Sequence, residues 1–291
     1  MFTVTLLTDP QTPKLTPERA GTLCSAWLGR DLRWLSAGEA AEFDIDERPA
    51  DFWEIWEALQ AEETDVIVQP RDGRTKRMLI ADMDSTMIGQ ECIDELAEVA
   101  GVGSRVRDIT ARAMNGELDF EGALTERVAL LAGLDTGVID EVLKTRITLA
   151  PGGRTLLKTM KGAGGYAVLV SGGFTAFAGP IAADLGFDAH RANVLLEENG
   201  VLTGEVARPI LGRDAKVETL HAVAEARGLV PDDVLAVGDG ANDLGMLSVA
   251  GAGVALHAKP SVAAQSDIRV NFGDLTALLY LQGHARADFV T

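Results

Sequence analysis

From Met78 onward, short apolar runs alternate with stretches of helical periodicity, and this alternation is the strongest constraint on the fold. Three of the runs have the length and composition of buried strands: Met78–Asp82, Tyr166–Val170 and Val234–Val237. Apolar strands that are joined through helices form parallel sheets covered on both faces. The pattern therefore predicts an α/β fold with a Rossmann-like parallel sheet in residues 78–291.

Polar residues follow each of the three runs: Asp82–Thr86, Ser171–Gly173 and Gly238–Asp243. One such cluster alone is typical of a turn or a helix N-cap. Because the carboxyl ends of parallel strands share one edge of a sheet, three clusters instead indicate a binding site at that edge. We expect four carboxylates to lie close together there: Asp82, Asp84, Asp239 and Asp243.

Four carboxylates in one cleft repel one another unless a cation is present, and hard oxygen ligands favour Mg²⁺. Beside the cation, Asp82 could attack phosphorus as a nucleophile. Asp84, two residues further, could protonate the leaving oxygen and then activate water. The hydroxyl of Ser171 and the N–H groups around Gly172 suit phosphate oxygens. Lys216 could add a cation, although taken alone it would be an ordinary surface lysine.

This motif set resembles that of the haloacid dehalogenase superfamily of phosphotransferases, in which the motifs occur in the same order. Within the superfamily, residues 78–291 are most similar to phosphoserine phosphatases. Longer stretches carry that similarity: Met83–Ile88, Glu91–Leu96, Met114–Phe120 and Ser171–Phe174. The resemblance implies Mg²⁺-dependent hydrolysis of O-phospho-L-serine through an aspartyl-phosphate, the last step of serine biosynthesis.

The resemblance also implies a role for each motif residue. Asp82 is expected to be the nucleophile and Asp84 the general acid/base. Mg²⁺ is expected to bind the Asp82 carboxylate, the Asp84 main-chain carbonyl and Asp239, with support from Asp243. The residues expected to contact phosphate are Ser171, Gly172, Lys216 and Asn242.

Residues 87–150, between the first two motifs, match the small helical cap of this family, which excludes water from the cleft. A phosphorylated amino acid carries an ammonium and a carboxylate, so its site needs an acid and a base. The resemblance implies Glu91 and Arg127 for these parts, with Phe120 and Met114 as apolar cap contacts. Without the resemblance, Glu91 is a first-turn helix acid, Arg127 a solvated side chain and the other two are core residues.

Residues 1–77 have a different pattern, in which strands and helices follow a βαββαβ order. This order predicts a small α+β domain that resembles ACT modules, and residues 70–77, with turn residues and four positive charges, form the expected linker. No ligand motif occurs in it. Structural support, amino-acid sensing and homodimerisation through this domain are therefore all left open.

The charge balance excludes several classes of partner. The chain has 44 Asp and Glu against 26 Lys and Arg, a formal net charge of −18, which opposes binding to nucleic acid and to anionic membranes. There is no apolar run of about 18 residues and no signal peptide at the start, so we expect a cytoplasmic protein with a small-molecule substrate.

Two alternatives to a phosphoserine phosphatase remain at this point. The same chemistry could serve another small phosphomonoester such as phosphohomoserine, or transfer the phosphoryl group to an acceptor alcohol. From another class, the protein could be an amino-acid-binding regulator whose phosphatase half is inactive. The presence of both Asp82 and Asp84 argues against the regulator.

Overall fold

In a computed structural model of the chain, residues 1–114 and 117–291 are described, with all their side chains except that of Met114. The first 70 residues form a four-stranded antiparallel sheet and two helices in the predicted βαββαβ order. The elements are β1 (Phe2–Leu7), α1 (Pro17–Ala26), β2 (Arg30–Ser36), β3 (Ala40–Ile45), α2 (Phe52–Ala61) and β4 (Asp65–Pro70). The strand order across the sheet is β2-β3-β1-β4.

Helix α1 begins where the sequence predicts. The hydroxyl of Thr16 accepts a hydrogen bond from the N–H of Arg19, and Pro17 occupies the first helical position, where its missing N–H has no consequence.

A second sheet of six parallel strands forms the centre of residues 78–291. Its strands are β5 (Met78–Ala81), β6 (Tyr166–Phe174), β7 (Ala189–Asn193), β10 (Val234–Gly238), β11 (Ala252–Leu256) and β12 (Ile268–Val270). They lie in the order β12-β11-β10-β5-β6-β7. The predicted parallel sheet is therefore confirmed.

The two faces of this sheet are covered by different helices. Leu79 and Ala81 of β5 pack on one side with helices α7 (Gly153–Gly162), α8 (Thr175–Leu185) and α12 (Ala277–Leu281). Met78 and Ile80 pack on the other with α9 (Arg213–Ala226), α10 (Leu244–Val249) and α11 (Pro260–Ala263). Alternate residues of this short strand thus pack into two hydrophobic cores, one on each face of the sheet, which explains why the strand is apolar throughout.

Four helices are inserted between β5 and α7: α3 (Cys92–Val99), α4 (Gly103–Met114), α5 (Phe120–Ala129) and α6 (Gly137–Thr145). The two connections of this insertion run side by side, since Ile88 and Leu149 form an antiparallel bridge. The N–H of Gly89 also donates to the carbonyl of Thr148 over 3.0 Å. The insertion therefore leaves and rejoins the sheet at one place.

The predicted hairpin with arms Ala192–Leu196 and Val201–Val206 is wrong in its first arm. The structure divides that segment between β7, which ends at Asn193 and joins the parallel sheet, and β8 (Leu195–Glu198), which pairs with β9 (Val201–Val206). The side chain of Asn193 lies at the division and bonds to two other segments. It donates to the carbonyl of Gly172 over 2.9 Å and accepts from the N–H of Leu211 over 2.7 Å.

The N-terminal sheet is attached to the rest of the chain through buried polar contacts. The carboxylate of Asp65 accepts hydrogen bonds from the N–H groups of Asn271, Phe272 and Gly273 over 2.9 to 3.3 Å. The amide of Gln69 donates to the carbonyl of Leu281 over 2.6 Å. These bonds fix strand β4 against the loop that follows β12 and against the end of α12.

Among the described residues, no helix combines the length and the apolar composition that crossing a membrane requires.

Candidate active site

The strand order brings the ends of β5, β6 and β10 together at one edge of the parallel sheet. Strand β5 lies between the other two, and Ala81 pairs with Val237 on one side and with Leu169 on the other. Asp82 continues this alignment, because its N–H donates to the carbonyl of Val237 over 3.0 Å. The three motifs that follow these strands are neighbours, as their sequence positions predict.

Three of the four predicted carboxylates form one buried cluster. One oxygen from each of Asp82, Asp239 and Asp243 lies within 4.8 Å of the other two. Burial raises the pKa of Asp82 and of Asp239, and the charge of Asp243 raises both further. A divalent cation would remove this repulsion, and carboxylate oxygens are the ligands that hard cations prefer. The donor set therefore fits a divalent-cation site.

The position of Asp243 depends on the glycines that precede it. The N–H of Gly240 donates to Asp243 Oδ2 over 2.9 Å, which aims the carboxylate back toward β10. A Cβ on Gly238 would lie only 2.5 Å from the same oxygen. The last residue of β10 must therefore be glycine for the carboxylate to approach the strand end.

Lys216 lies beneath the cluster and connects two of its members. Its ammonium, on helix α9, is buried and donates to Asp82 Oδ1 and Asp243 Oδ1. Burial lowers the pKa of Lys216, but the two carboxylates raise it by more, so that it lies above its ordinary value. The side chain is thus a fixed positive charge beside the predicted nucleophile.

Asp84 is held between the insertion and β6. Its carboxylate accepts hydrogen bonds from the N–H of Cys92 over 2.8 Å and from the hydroxyl of Ser171 over 3.1 Å. Burial raises the pKa of Asp84, and these two bonds oppose the rise. The side chain therefore faces the same edge as Asp82 without sharing its cluster.

The second predicted motif lies against Asp84. The structure includes Ser171, Gly172 and Gly173 in β6, whereas the sequence predicts that the strand ends at Val170. The N–H of Gly173 donates to Ser171 Oγ over 2.8 Å, which orients that hydroxyl.

A cavity of about 510 Å³ opens above the cluster, between the sheet edge and the insertion. It is large enough for a small metabolite. Lys216 and Asp243 are buried and do not line it. The side chain of Met114 is outside the described residues. The predicted residues that line it are Asp82, Asp84, Glu91, Phe120, Arg127, Ser171, Gly172, Asp239 and Asn242.

Glu91 and Arg127 face this cavity from the insertion. Glu91 accepts a hydrogen bond from the hydroxyl of Ser85 over 2.8 Å. Its outer edge is exposed to the cavity, but the protein atoms around its carboxylate, and next the charge of Asp84, raise its pKa to about 7. Arg127 is half-buried and donates from Nε to the carbonyl of Ala123 over 3.2 Å. The cavity thus offers one acid and one base besides the cluster.

Sequence reasoning missed two cations of this cavity, Arg213 and Lys259. Arg213 stands three residues before Lys216 at the start of α9, so helical spacing could have indicated it. Lys259 follows β11 in an Ala-Lys-Pro segment that carries no local signal of its position. In the sequence alone, Lys259 is indistinguishable from a surface lysine.

A family model described as haloacid dehalogenase-like hydrolase matches residues 79–248, which include all four motifs. The chain belongs to the haloacid dehalogenase-like hydrolases. The predicted family is confirmed by this match and by relatives named phosphoserine phosphatase.

One such relative, from Lactococcus lactis subsp. lactis, is 45% identical to this hydrolase over 204 residues, which are 70% of this chain and 94% of that protein. Another, from Streptomyces coelicolor, is 45% identical over 215 residues, 74% of this chain. The match covers 52% of the Streptomyces protein, so the chain spans about half the length of that relative.

The fold as a whole is similar to a solved structure. A probable phosphoserine phosphatase from Vibrio cholerae, in unliganded form, superposes with a TM-score of 0.80 at 30% identity. The superposition covers 99% of this chain and 88% of that one, so it includes the N-terminal sheet.

Proposed function

We propose that this hydrolase is a phosphoserine phosphatase, which converts O-phospho-L-serine and water to L-serine and phosphate. The observation that carries the proposal is the composition of the cavity. It combines the Asp82 and Asp84 carboxylates with one further acid and one base, Glu91 and Arg127. O-phosphoserine presents the complementary phosphate, ammonium and carboxylate. The 45% identity to proteins named phosphoserine phosphatase supports the same substrate.

In the first step, a carboxylate oxygen of Asp82 attacks phosphorus, and the bond from phosphorus to the serine oxygen breaks. Asp84 donates its proton to that oxygen, so that serine leaves as the alcohol. Lys216 stays protonated beside Asp82 and offsets the negative charge of the transferring group. The step leaves Asp82 phosphorylated.

In the second step, water attacks the phosphorus of phospho-Asp82 while Asp84 accepts a proton from that water. The bond from phosphorus to Asp82 breaks, which restores the carboxylate and releases inorganic phosphate. The bonds from Cys92 N–H and Ser171 Oγ orient Asp84 for both proton transfers.

A divalent cation fits this chemistry, and we propose Mg²⁺. The carboxylates of Asp82 and Asp239 and the main-chain carbonyl of Asp84 would hold it, with Asp243 in support. When bound, it would neutralise charge on the phosphate oxygens. The residues proposed to contact the phosphate are Ser171, Gly172, Lys216 and Asn242.

The division of the chain is part of the proposal. Residues 1–77 would form an ACT-like domain, residues 78–291 the phosphatase domain and residues 87–150 its cap. The separate antiparallel sheet and the position of the insertion over the cavity support this division. Dimerisation through residues 1–77, regulation by an amino acid and a cytoplasmic location stay predictions.

Phosphate release from matched phosphomonoesters tests the substrate. The panel is O-phospho-L-serine, O-phosphoethanolamine, which lacks the carboxylate, and 3-(phosphonooxy)propanoate, which lacks the ammonium. Arg127→Ala should lower kcat/KM about 10- to 100-fold for the two carboxylate-bearing compounds, the range expected for a charged hydrogen bond. The same substitution should change kcat/KM for O-phosphoethanolamine less than threefold.

Glu91→Gln should give the opposite selectivity and affect only the two ammonium-bearing compounds. Arg105→Ala, at an exposed arginine of α4 away from the cavity, is the matched control and should leave all three rates unchanged. Equal losses over the panel for Arg127→Ala would remove the basis for naming phosphoserine. Formation of a new phosphomonoester when homoserine is added would instead favour phosphoryl transfer to an alcohol.

A further inference from the structure

Three cationic side chains line the catalytic cavity without an ion pair within 4.0 Å to any described residue: Arg127, Arg213 and Lys259. Arg127 already has a proposed partner in the substrate carboxylate. Arg213 and Lys259, by contrast, are exposed and belong to the core side of the cavity. In a chain with 44 acids and 26 bases, two unpaired cations that line one cavity need an explanation.

The backbone fixes where Lys259 stands. Its N–H donates to the carbonyl of Asp239 over 3.3 Å, and Pro260 begins α11 directly after it. Its side chain lies close enough to the Asp239 and Glu91 carboxylates to lower the pKa of both, against the larger effect of burial. Lys259 therefore stands at the opening of the cavity, between the acidic cluster and the insertion.

Arg213 lines the same cavity from a different element. It is the first residue of α9, one turn before Lys216, so the two cations share one side of that helix. Its guanidinium passes over the start of α10, where a Cβ on Gly245 would lie 3.7 Å from Arg213 Nε. Lys216 is buried beside Asp82, whereas Arg213 is exposed at the cavity.

A phosphomonoester dianion meets two obstacles when it enters this cavity. The protein carries a net charge of −18, and four carboxylates line the walls: Asp82, Asp84, Glu91 and Asp239. Lys216 cannot reach outward, because it is buried and bonded to Asp82 and Asp243. Positive charge at the opening would attract a dianion into the cavity, because the local electrostatic potential sets the concentration of a charged substrate in a cleft.

We infer that Arg213 and Lys259 form a capture site for the phosphate group at the opening of the catalytic cavity. The inference rests on the proposed function, because it requires a phosphomonoester substrate. The two side chains attract the dianion equally in its ground state and in the transition state. They therefore set KM and leave the phosphoryl-transfer step to Asp82, Asp84 and Lys216.

Steady-state kinetics at several ionic strengths test this role. Lys259→Gln and Arg213→Gln should each raise KM about three- to tenfold at low salt, with kcat changed less than twofold. Added salt screens exposed charges, so the dependence of kcat/KM on ionic strength should be weaker in each variant than in the wild type. Lys259→Arg should restore both KM and the salt dependence. Lys158→Gln, at an exposed lysine of α7 outside the cavity, is the matched control.

Binding of inorganic phosphate, measured calorimetrically with Mg²⁺ present, separates failure of the capture site from failure of the proposed function. Weaker phosphate binding by Lys259→Gln and Arg213→Gln than by Lys158→Gln supports the capture site even if phosphoserine is not hydrolysed. Equal phosphate affinity in all variants overturns it. So does a loss that appears in kcat with KM and the salt dependence unchanged.

Discussion

At the scale of single residues, Asp84 has almost no free space on the side of β6. A Cβ on Gly173 would lie 2.8 Å from Asp84 Oδ2 and 3.0 Å from Ser171 Oγ. Gly173→Ala should therefore displace Asp84, the proposed general acid/base, and lower kcat about 10- to 100-fold, because small errors in position are costly for proton transfer. Steady-state kinetics and the melting temperature of the same sample measure the two consequences separately.

Gly21→Ala is the matched control for that substitution. A Cβ on Gly21, inside helix α1, meets no atom within 4 Å. The change should increase the free energy of unfolding by about 0.5 to 1 kcal/mol, since alanine loses less backbone entropy than glycine in a helix. It should not alter kcat. Full activity in Gly173→Ala would mean that the Asp84 position seen here is not needed for turnover.

The same scale shows what the sequence could and could not reveal about the site. Asp82, Asp84 and Asp239 were identifiable because they follow apolar strands, and strand ends converge in a parallel sheet. The hydrogen bonds that orient them were not, since they join segments whose approach depends on the fold. Examples are the bond from Cys92 N–H to Asp84 and the bond from Thr86 Oγ1 to Asp239 over 3.2 Å.

At the scale of elements, Asp65 is the main polar connection between β4 and the loop after β12. Asp65→Ala would leave the N–H groups of Asn271, Phe272 and Gly273 without their acceptor. We expect a loss of about 2 to 3 kcal/mol in the free energy of unfolding, measured by urea denaturation. Asp65→Asn keeps one acceptor oxygen and should lose less. A loss below about 0.5 kcal/mol for Asp65→Ala would show that this contact does not hold the two sheets together.

The end of an element was predictable where nearby capping residues determine it. The prediction failed where pairing with a distant strand determines it. The N-cap Thr16 and the proline after it are adjacent in sequence, and α1 begins as predicted. The segment around Ala192 looked like one arm of a hairpin, because its periodicity suits either sheet. Only the pairing with β6 and the distant contacts of Asn193 assign its two halves to different sheets.

At the scale of the whole molecule, the acidic composition is compatible with the proposed anionic substrate because a bound cation can change the local charge. A chelator should abolish phosphate release, and Mg²⁺ should restore it. Mg²⁺ at about 100 times its Kd should stabilise metal-free protein by about 2.7 kcal/mol. The stabilisation is measured as the rise in melting temperature when Mg²⁺ is added, and Asp239→Asn should remove much of that rise. Asp267→Asn, at an exposed aspartate outside the cluster, should retain it. An equal rise in both variants would place the cation elsewhere.

Rapid-quench analysis with phosphorus-labelled O-phospho-L-serine and Mg²⁺ tests most directly whether the chain hydrolyses phosphoserine through Asp82. We predict that label appears on the protein within one turnover, that peptide mapping places it on Asp82, and that it decays as free phosphate forms. Asp82→Asn should show neither label nor turnover. Release of phosphate without labelled protein, or turnover by Asp82→Asn, would contradict the mechanism, and the absence of any release from phosphoserine would contradict the proposed substrate.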